Sequence, residues 1–235
     1  MILCAVVLAL AALGARPTDA ANNVSSPLQH YSTDDRSIGF VLDQSQDPPL
    51  MRFDSSPEIL VLEPVAGPRG DTIYKRDDGF SVIRETNLGG LTVFDEERPE
   101  GRPVFQDGDA LRLGLRRHSL EELQAEALDL SETLTKLLGV EVAVALDRNA
   151  LDSETAAALL GDTLAVVEIA LERMAGESAS RNVLADRLRR VSLRLGDRAG
   201  AEFQGDNLIL YFVPADGVRG RMSSGAIVRY LKSTL

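Results

Sequence analysis

The stretch "DTIYKRDDGFSVIRETNLGGLTVF", residues 71–94, contains two turns set between runs rich in β-formers. Asp77-Asp78-Gly79 predicts a three-residue loop with Gly79 in the left-handed position, the geometry of a G1-bulge hairpin. That register sets Tyr74 opposite Val82 and Ile73 opposite Ile83. It pairs the apolar positions better than a two-residue loop would. Asn87-Leu88-Gly89-Gly90 is the next turn, and Leu91–Phe94 follows as a third strand. The stretch reads as a three-stranded antiparallel meander, and its residues are those such a fold needs.

Upstream, Ile59–Leu62 reads as a strand closed by Pro64 and the "GPRG" turn. Residues 58–110 are therefore expected to form a small β-meander. Residues 21–57, rich in Ser, Asp and Pro, read as an irregular, partly docked lead-in. The first 20 residues read as a signal peptide. Ile2 to Leu13 is an apolar run, shorter than the roughly 20 residues that span a bilayer, and Thr18-Asp19-Ala20 suits cleavage after Ala20. Cleavage there removes Cys4, the only cysteine. The remaining chain has no thiol for a disulfide, a metal or nucleophilic catalysis. A cysteine-free exported chain of this length fits a periplasm, where its core is large enough without staples.

Downstream the period changes, and residues 111–235 read as a helix-rich α+β domain. Ser119-Leu-Glu-Glu122 is a capping box and Gly139 a helix stop. Between them Leu120, Leu123, Ala127, Leu130, Leu134 and Leu137 recur at spacings of three and four. A second helix spans about 153–175, with Asp152 as the expected cap and Gly176 as the stop. Ala157, Leu160, Leu164, Val167, Leu171 and Met174 repeat the pattern, and Ala156, Leu159, Val166 and Ala170 make a second apolar face. A helix apolar on two faces belongs at the centre of a core or at an oligomer interface. Runs this short favour packing within one chain, a monomer, over a coiled-coil dimer. Val140–Leu146, Val191–Leu195 and Leu208–Val213 read as strands, residues 180–190 as a basic helix, and about 224–232 as a closing helix. The fold class is α+β: an N-terminal antiparallel meander, then a helix-rich part with two long heptad-patterned helices.

Net charge is −11 over 235 residues, and it is unevenly spread. Residues 21–110 carry 17 acids against 8 bases, residues 111–180 carry 13 against 6, and residues 181–235 carry 5 against 10. An acidic body argues against nucleic acid as a partner. The basic C-terminal part either pairs with it internally or faces an anionic partner.

Sets that carry chemistry are missing. Gly176-Glu-Ser178-Ala-Ser180 lacks the final glycine of a nucleophile elbow. Of the two histidines, His30 lies in the lead-in and His118, before the capping box, reads as an ordinary exposed residue, and the two leave no zinc motif. Asp147–Glu154 is oxygen-rich, but it lacks the glycine of a calcium loop. Asp34-Asp35, Asp77-Asp78, Glu96-Glu97 and Glu121-Glu122 read as solvated faces. Arg69-Gly70-Asp71 matches an integrin-binding tripeptide, but its place at a turn explains it structurally. No catalytic residue, metal ligand or cofactor is assigned. One candidate site remains, in "GVRGRMSSG", residues 217–225. Arg219 and Arg221 stand just ahead of Ser223 and Ser224, which open a helix whose free N–H groups and dipole favour an anion. The structural reading of the same residues is that the arginines pair with the acidic body while the serines only cap the helix.

"GPRGDTIYKRDDG" followed by "LGGLTVF", within residues 67–94, resembles a family of uncharacterised exported bacterial proteins carried as a domain of unknown function. The resemblance implies export and brings no activity with it. The expectation is an exported cell-envelope protein, periplasmic or secreted, acting as a non-enzymatic binding or scaffolding module for an envelope protein or an anionic envelope component. The alternative is a hydrolase using Asp/Glu general acid–base chemistry, which needs two carboxylates facing each other in one pocket.

Overall fold

The structure is a computed structural model that describes residues 27–96 and 98–235. The expected signal peptide and Cys4 lie outside the described residues. Among the described residues, no helix is long and apolar enough to cross a membrane.

The fold is mixed α+β. Its N-terminal half is a nine-stranded antiparallel sheet, near to a barrel rather than the simple meander expected from the sequence. The strands are β1 (Leu28–Ser32), β2 (Gly39–Asp43), β3 (Leu50–Phe53), β4 (Leu60–Val61), β5 (Glu63–Ala66), β6 (Thr72–Lys75), β7 (Ser81–Glu85), β8 (Leu91–Val93) and β9 (Arg102–Asp109). They run in the order β4-β3-β2-β1-β9-β8-β7-β6-β5. Two segments carry the sheet around its corners. β9 pairs with β8 through Arg102–Val104 and with β1 from Phe105 onward. β4 and β5, the two ends of the order, are consecutive in the chain with only Leu62 between them. Strands that change sheet in this way close a core from its corners. Phe40, Leu42, Met51, Leu62, Ile83 and Val93 fill it, each at most 1% exposed. The lead-in of residues 21–57 is therefore corrected: it supplies β1, β2 and β3.

The central hairpin keeps its turn but changes its register. Gly79 has φ +81°, and its N–H reaches the Arg76 carbonyl. Lys75 stands opposite Ser81, but a bulge at Val82 then puts Tyr74 opposite Ile83 and Ile73 opposite Arg84. The bulge re-aims the strand so that the adjacent residues Val82 and Ile83 are both buried. The Arg69-Gly70-Asp71 tripeptide belongs to this scaffold. The Asp71 carboxylate is buried and accepts from Arg84 Nε at 2.7 Å and from the Asn87 N–H at 3.2 Å.

The C-terminal half holds α1 (Leu120–Leu138), α2 (Glu154–Gly176), α3 (Ser178–Arg187) and α4 (Ser224–Thr234). They pack with a four-stranded sheet of β10 (Ala143–Leu146), β11 (Arg190–Leu195), β12 (Gly200–Gln204) and β13 (Asn207–Phe212). The sheet order is β10-β11-β13-β12, with β12 alone antiparallel. The Ser119 capping box forms, and Gly139 ends α1 with φ +70°. Ser153, not Asp152, caps α2. Asp147 instead accepts from the N–H groups of Asn149 and Leu195, at 3.0 and 3.1 Å. The two patterned helices meet in one core, where Leu123, Leu130 and Leu134 pack among Leu160, Leu164 and Leu171. Both faces of α2 are covered, by α1 on one side and by α4 and the sheet on the others.

Candidate functional site

The start of α4 lies against the β part of the molecule. Ser223 caps the helix by accepting from the Ala226 N–H at 3.1 Å. Its own N–H donates to Asp77 Oδ2 at 2.9 Å, and its hydroxyl donates to Asp77 Oδ1. Ser224 does the same to Glu58, through its N–H at 2.8 Å and its hydroxyl at 2.5 Å. The helix N-terminus therefore holds anions, as its free N–H groups and dipole favour, and those anions are two carboxylates of the same chain.

Arg221 lies deeper. Its side chain is 2% exposed. Nε donates to the Asp162 carboxylate of α2, NH2 donates to the Ile59 carbonyl at 3.0 Å, and Glu58 lies 4.0 Å from NH1. The glycines of residues 217–225 make this packing feasible. A Cβ on Gly220 would stand 1.9 Å from the Val213 carbonyl oxygen, and one on Gly225 would stand 2.2 Å from Asp78 Oδ2.

A second layer surrounds the seam. Arg76 binds Asp78 at 2.5 Å and Glu96 at 3.1 Å. Arg173 of α2 holds Glu96 with two bonds of 2.5 and 2.7 Å. Burial pushes the Asp78 carboxyl up, but Arg76, the Phe80 N–H and Arg229 more than offset this and leave it below the usual range. Glu96 is likewise raised by burial and lowered further by Arg173 and Arg76. The carboxylate pair Asp77-Asp78 is thus corrected from a solvated face to a structural joint: Asp77 stays exposed but holds Ser223, and Asp78 is half-buried on Arg76.

Two cavities flank residues 57–61, which lead into and include β4. One, of about 550 Å³, is bounded by Leu60 and Val61 on the barrel side and by Met222 and Ala226 on the other. It also takes in Lys75, Arg76, Arg219, Arg221 and Arg229, against only Glu63 and Asp77. Arg76 and Arg221 are neutralised by the pairs above. Arg229 spends its donors on the Asp78 and Asp77 carbonyls, at 2.5 and 3.0 Å. The Lys75 and Arg219 side chains make no ion pair or hydrogen bond among the described residues. Of the four residues read from the sequence, Arg219, Arg221 and Ser223 line this cavity, while Ser224 is turned to Glu58.

The other cavity, of about 520 Å³, is acidic, with Glu126, Asp129, Asp162 and Glu168 among its lining residues. Burial and the nearby Glu172 and Asp129 push the Glu168 carboxyl up. His118 lines it as well and is corrected from exposed to a half-buried residue whose side chain is only 6% exposed. Its ring lies so close to α2 that a Cβ on Gly161 would stand 2.4 Å from Nε2. His118 Nδ1 is 3.1 Å from Glu126 Oε2 and 3.3 Å from Arg116 NH2. Among the described residues, no three His, Cys, Asp or Glu side chains are grouped to hold a metal ion.

A described domain of unknown function, DUF4908, matches residues 10–231. The chain belongs to the DUF4908 family. No curated protein and no solved structure matches it. In this DUF4908 chain the family match runs through the barrel strands, the seam and α4 alike.

Sequence reading missed Glu58, Asp77 and Asp162 as partners of the 221–224 segment. The one signal for them was charge: acids before residue 180 and bases after it.

Proposed function

We propose that this chain is an exported cell-envelope protein that binds an anionic ligand in the basic cavity and works as a binding or scaffolding module without catalysis. The observation that carries the reading is Lys75 and Arg219, two cations without partners among the described residues, lining a cavity of about 550 Å³ in a chain of net charge −11. Unpaired charge of the minority sign, beside the low-dielectric wall of Leu60, Met222 and Ala226, concentrates field on an incoming anion. Export is supported by the apolar run from Ile2 to Leu13 and by Thr18-Asp19-Ala20. A monomer is supported by the shared core in which Leu123, Leu130 and Leu134 of α1 meet Leu160, Leu164 and Leu171 of α2 within one chain.

The test is calorimetry of wild type and of the Lys75→Ala, Arg219→Ala double variant against inorganic phosphate, phosphatidylglycerol vesicles and acidic peptides. Binding of one of these, lost in the variant and suppressed by added salt, supports the reading. Equal binding by both proteins refutes it. Mass spectrometry of the native protein tests export, and a retained Met1 on a cytoplasmic protein refutes that part.

A second reading, hydrolysis by carboxylate acid–base chemistry, is favoured by the acidic cavity. There burial, Glu172 and Asp129 push the Glu168 carboxyl up, the direction in which a general acid is tuned. Screening ester, phosphoester and glycoside probes with wild type and Glu168→Gln separates it from the first reading. Turnover lost in Glu168→Gln and retained in the Lys75, Arg219 variant selects the hydrolase.

A further inference from the structure

We propose that the basic cavity takes an extended acidic peptide segment, held by its backbone against the free edge of β4 at Val61. The proposal rests on the anion-binding reading of the same cavity and names the ligand class.

β4 ends the nine-strand order, so one of its sides has no neighbouring strand. The register shows which groups lie there. The Leu62 N–H donates to the Pro49 carbonyl at 2.9 Å. This makes Leu50 and Val61 a non-hydrogen-bonded pair of the antiparallel ladder. In such a pair the main-chain groups point away from the partner strand. The N–H and C=O of Val61 therefore face the side opposite β3, and Val61 lines the basic cavity. Ile59, two residues earlier, faces the same way, and its carbonyl accepts there from Arg221. Val61 has no comparable partner among the described residues. The open edge is short. The Gly67 N–H bonds the Asp71 carbonyl, which makes Ala66 and Thr72, and by alternation Pro64 and Tyr74, non-hydrogen-bonded pairs. Pro64 thus turns outward without a donor, the usual way of blunting an edge.

An unpaired strand edge recognises another extended backbone. The side chains of such a segment alternate at a period of two. Acids at alternate positions meet Lys75 from β6 and Arg219 and Arg229 from the opposite wall. A phosphate or a lipid headgroup would use those cations and leave the Val61 edge unanswered. The backbone edge beside unpaired cations favours a peptide.

The experiment uses the full chain and a pool of heptapeptides with Asp or Glu at alternate positions and Val or Thr between them, read by fluorescence anisotropy at low salt. The pool binds saturably, and the Lys75→Ala, Arg219→Ala double variant weakens binding about tenfold or more. Methylating the central backbone nitrogen of the best peptide, which leaves its charge intact, weakens it by about tenfold, and the bound peptide shifts the Val61 amide resonance. Phosphate or phosphatidylglycerol vesicles binding through Lys75 and Arg219 while the peptides fail, or peptides indifferent to N-methylation, overturn the peptide assignment and leave the anion site standing. Binding by none of the probes, or binding unchanged in a double variant of native circular dichroism, overturns both.

Discussion

Arg221 and Asp162 are bonded to each other across the join of the two cavities, Arg221 lining the basic one and Asp162 the acidic one. Their side chains are 2% and 13% exposed. Removing one partner of such a pair strands the other charge in a poorly solvated place, at a cost of about 3–5 kcal/mol. Asp162→Ala should lose stability on that scale in chemical denaturation. Arg221→Met combined with Asp162→Leu should lose much less, because neither charge remains. Equal losses would place the energy in packing.

Leu164 of α2 is 3% exposed and lies in the core shared with α1. Truncation to Ala leaves a cavity, with an expected loss of about 2–5 kcal/mol. Light scattering should show the same mass for wild type and variant. A dimer that dissociates to folded monomer on truncation would make the stripe an interface.

His30 sits on β1 between two carboxylates, with Nδ1 2.5 Å from Asp107 and Nε2 2.9 Å from Asp54. Burial opposes its charge, but hydrogen bonds to Asp107 and Asp54 outweigh it and raise the imidazole above its ordinary 6.5. A raised folded value contributes stability that is complete below the unfolded value and is lost as pH rises through the folded one. The NMR titration midpoint of His30 should lie above 6.5, and Asp107→Asn should lower it. A midpoint unchanged by that substitution would show that the short contact carries no coupling.

On the acid side the signs reverse. Asp78 and Glu96 are held below their ordinary 3.8 and 4.5. The stability they supply is present above the unfolded values and falls as pH drops through the folded ones. Denaturant midpoints should decline below about pH 4, and Glu96→Gln should flatten the decline. Hydrogen exchange of α4 amides should accelerate over the same interval, because these groups hold the seam.

The helices were legible because their signals are local. Ser119, Glu122 and Gly139 act within one turn of the elements they end, and the turn at Gly79 is set by its own residues. The barrel was not legible, because β1 finds β9 across more than seventy residues and shows no strong alternation in "LQHYS". β2 and β3 lie among Asp, Ser and Pro and are only five and four residues long. The register of β6 and β7 shifted because a bulge served two buried neighbours at once, which local pairing rules do not include. The 219–224 segment was readable as an attractor of anions. Its occupants, Asp77 and Glu58, lie about 150 residues upstream, and nothing in their own surroundings marks them.

The two halves of the fold come from successive stretches of the chain. The Glu58 and Asp77 carboxylates follow β3 and β6 in the chain, whereas the groups that bond them stand at the start of α4. The start of α4 therefore acts as a fastener: two adjacent serines each hold a carboxylate from a different loop of the β part, which links the two halves of the fold.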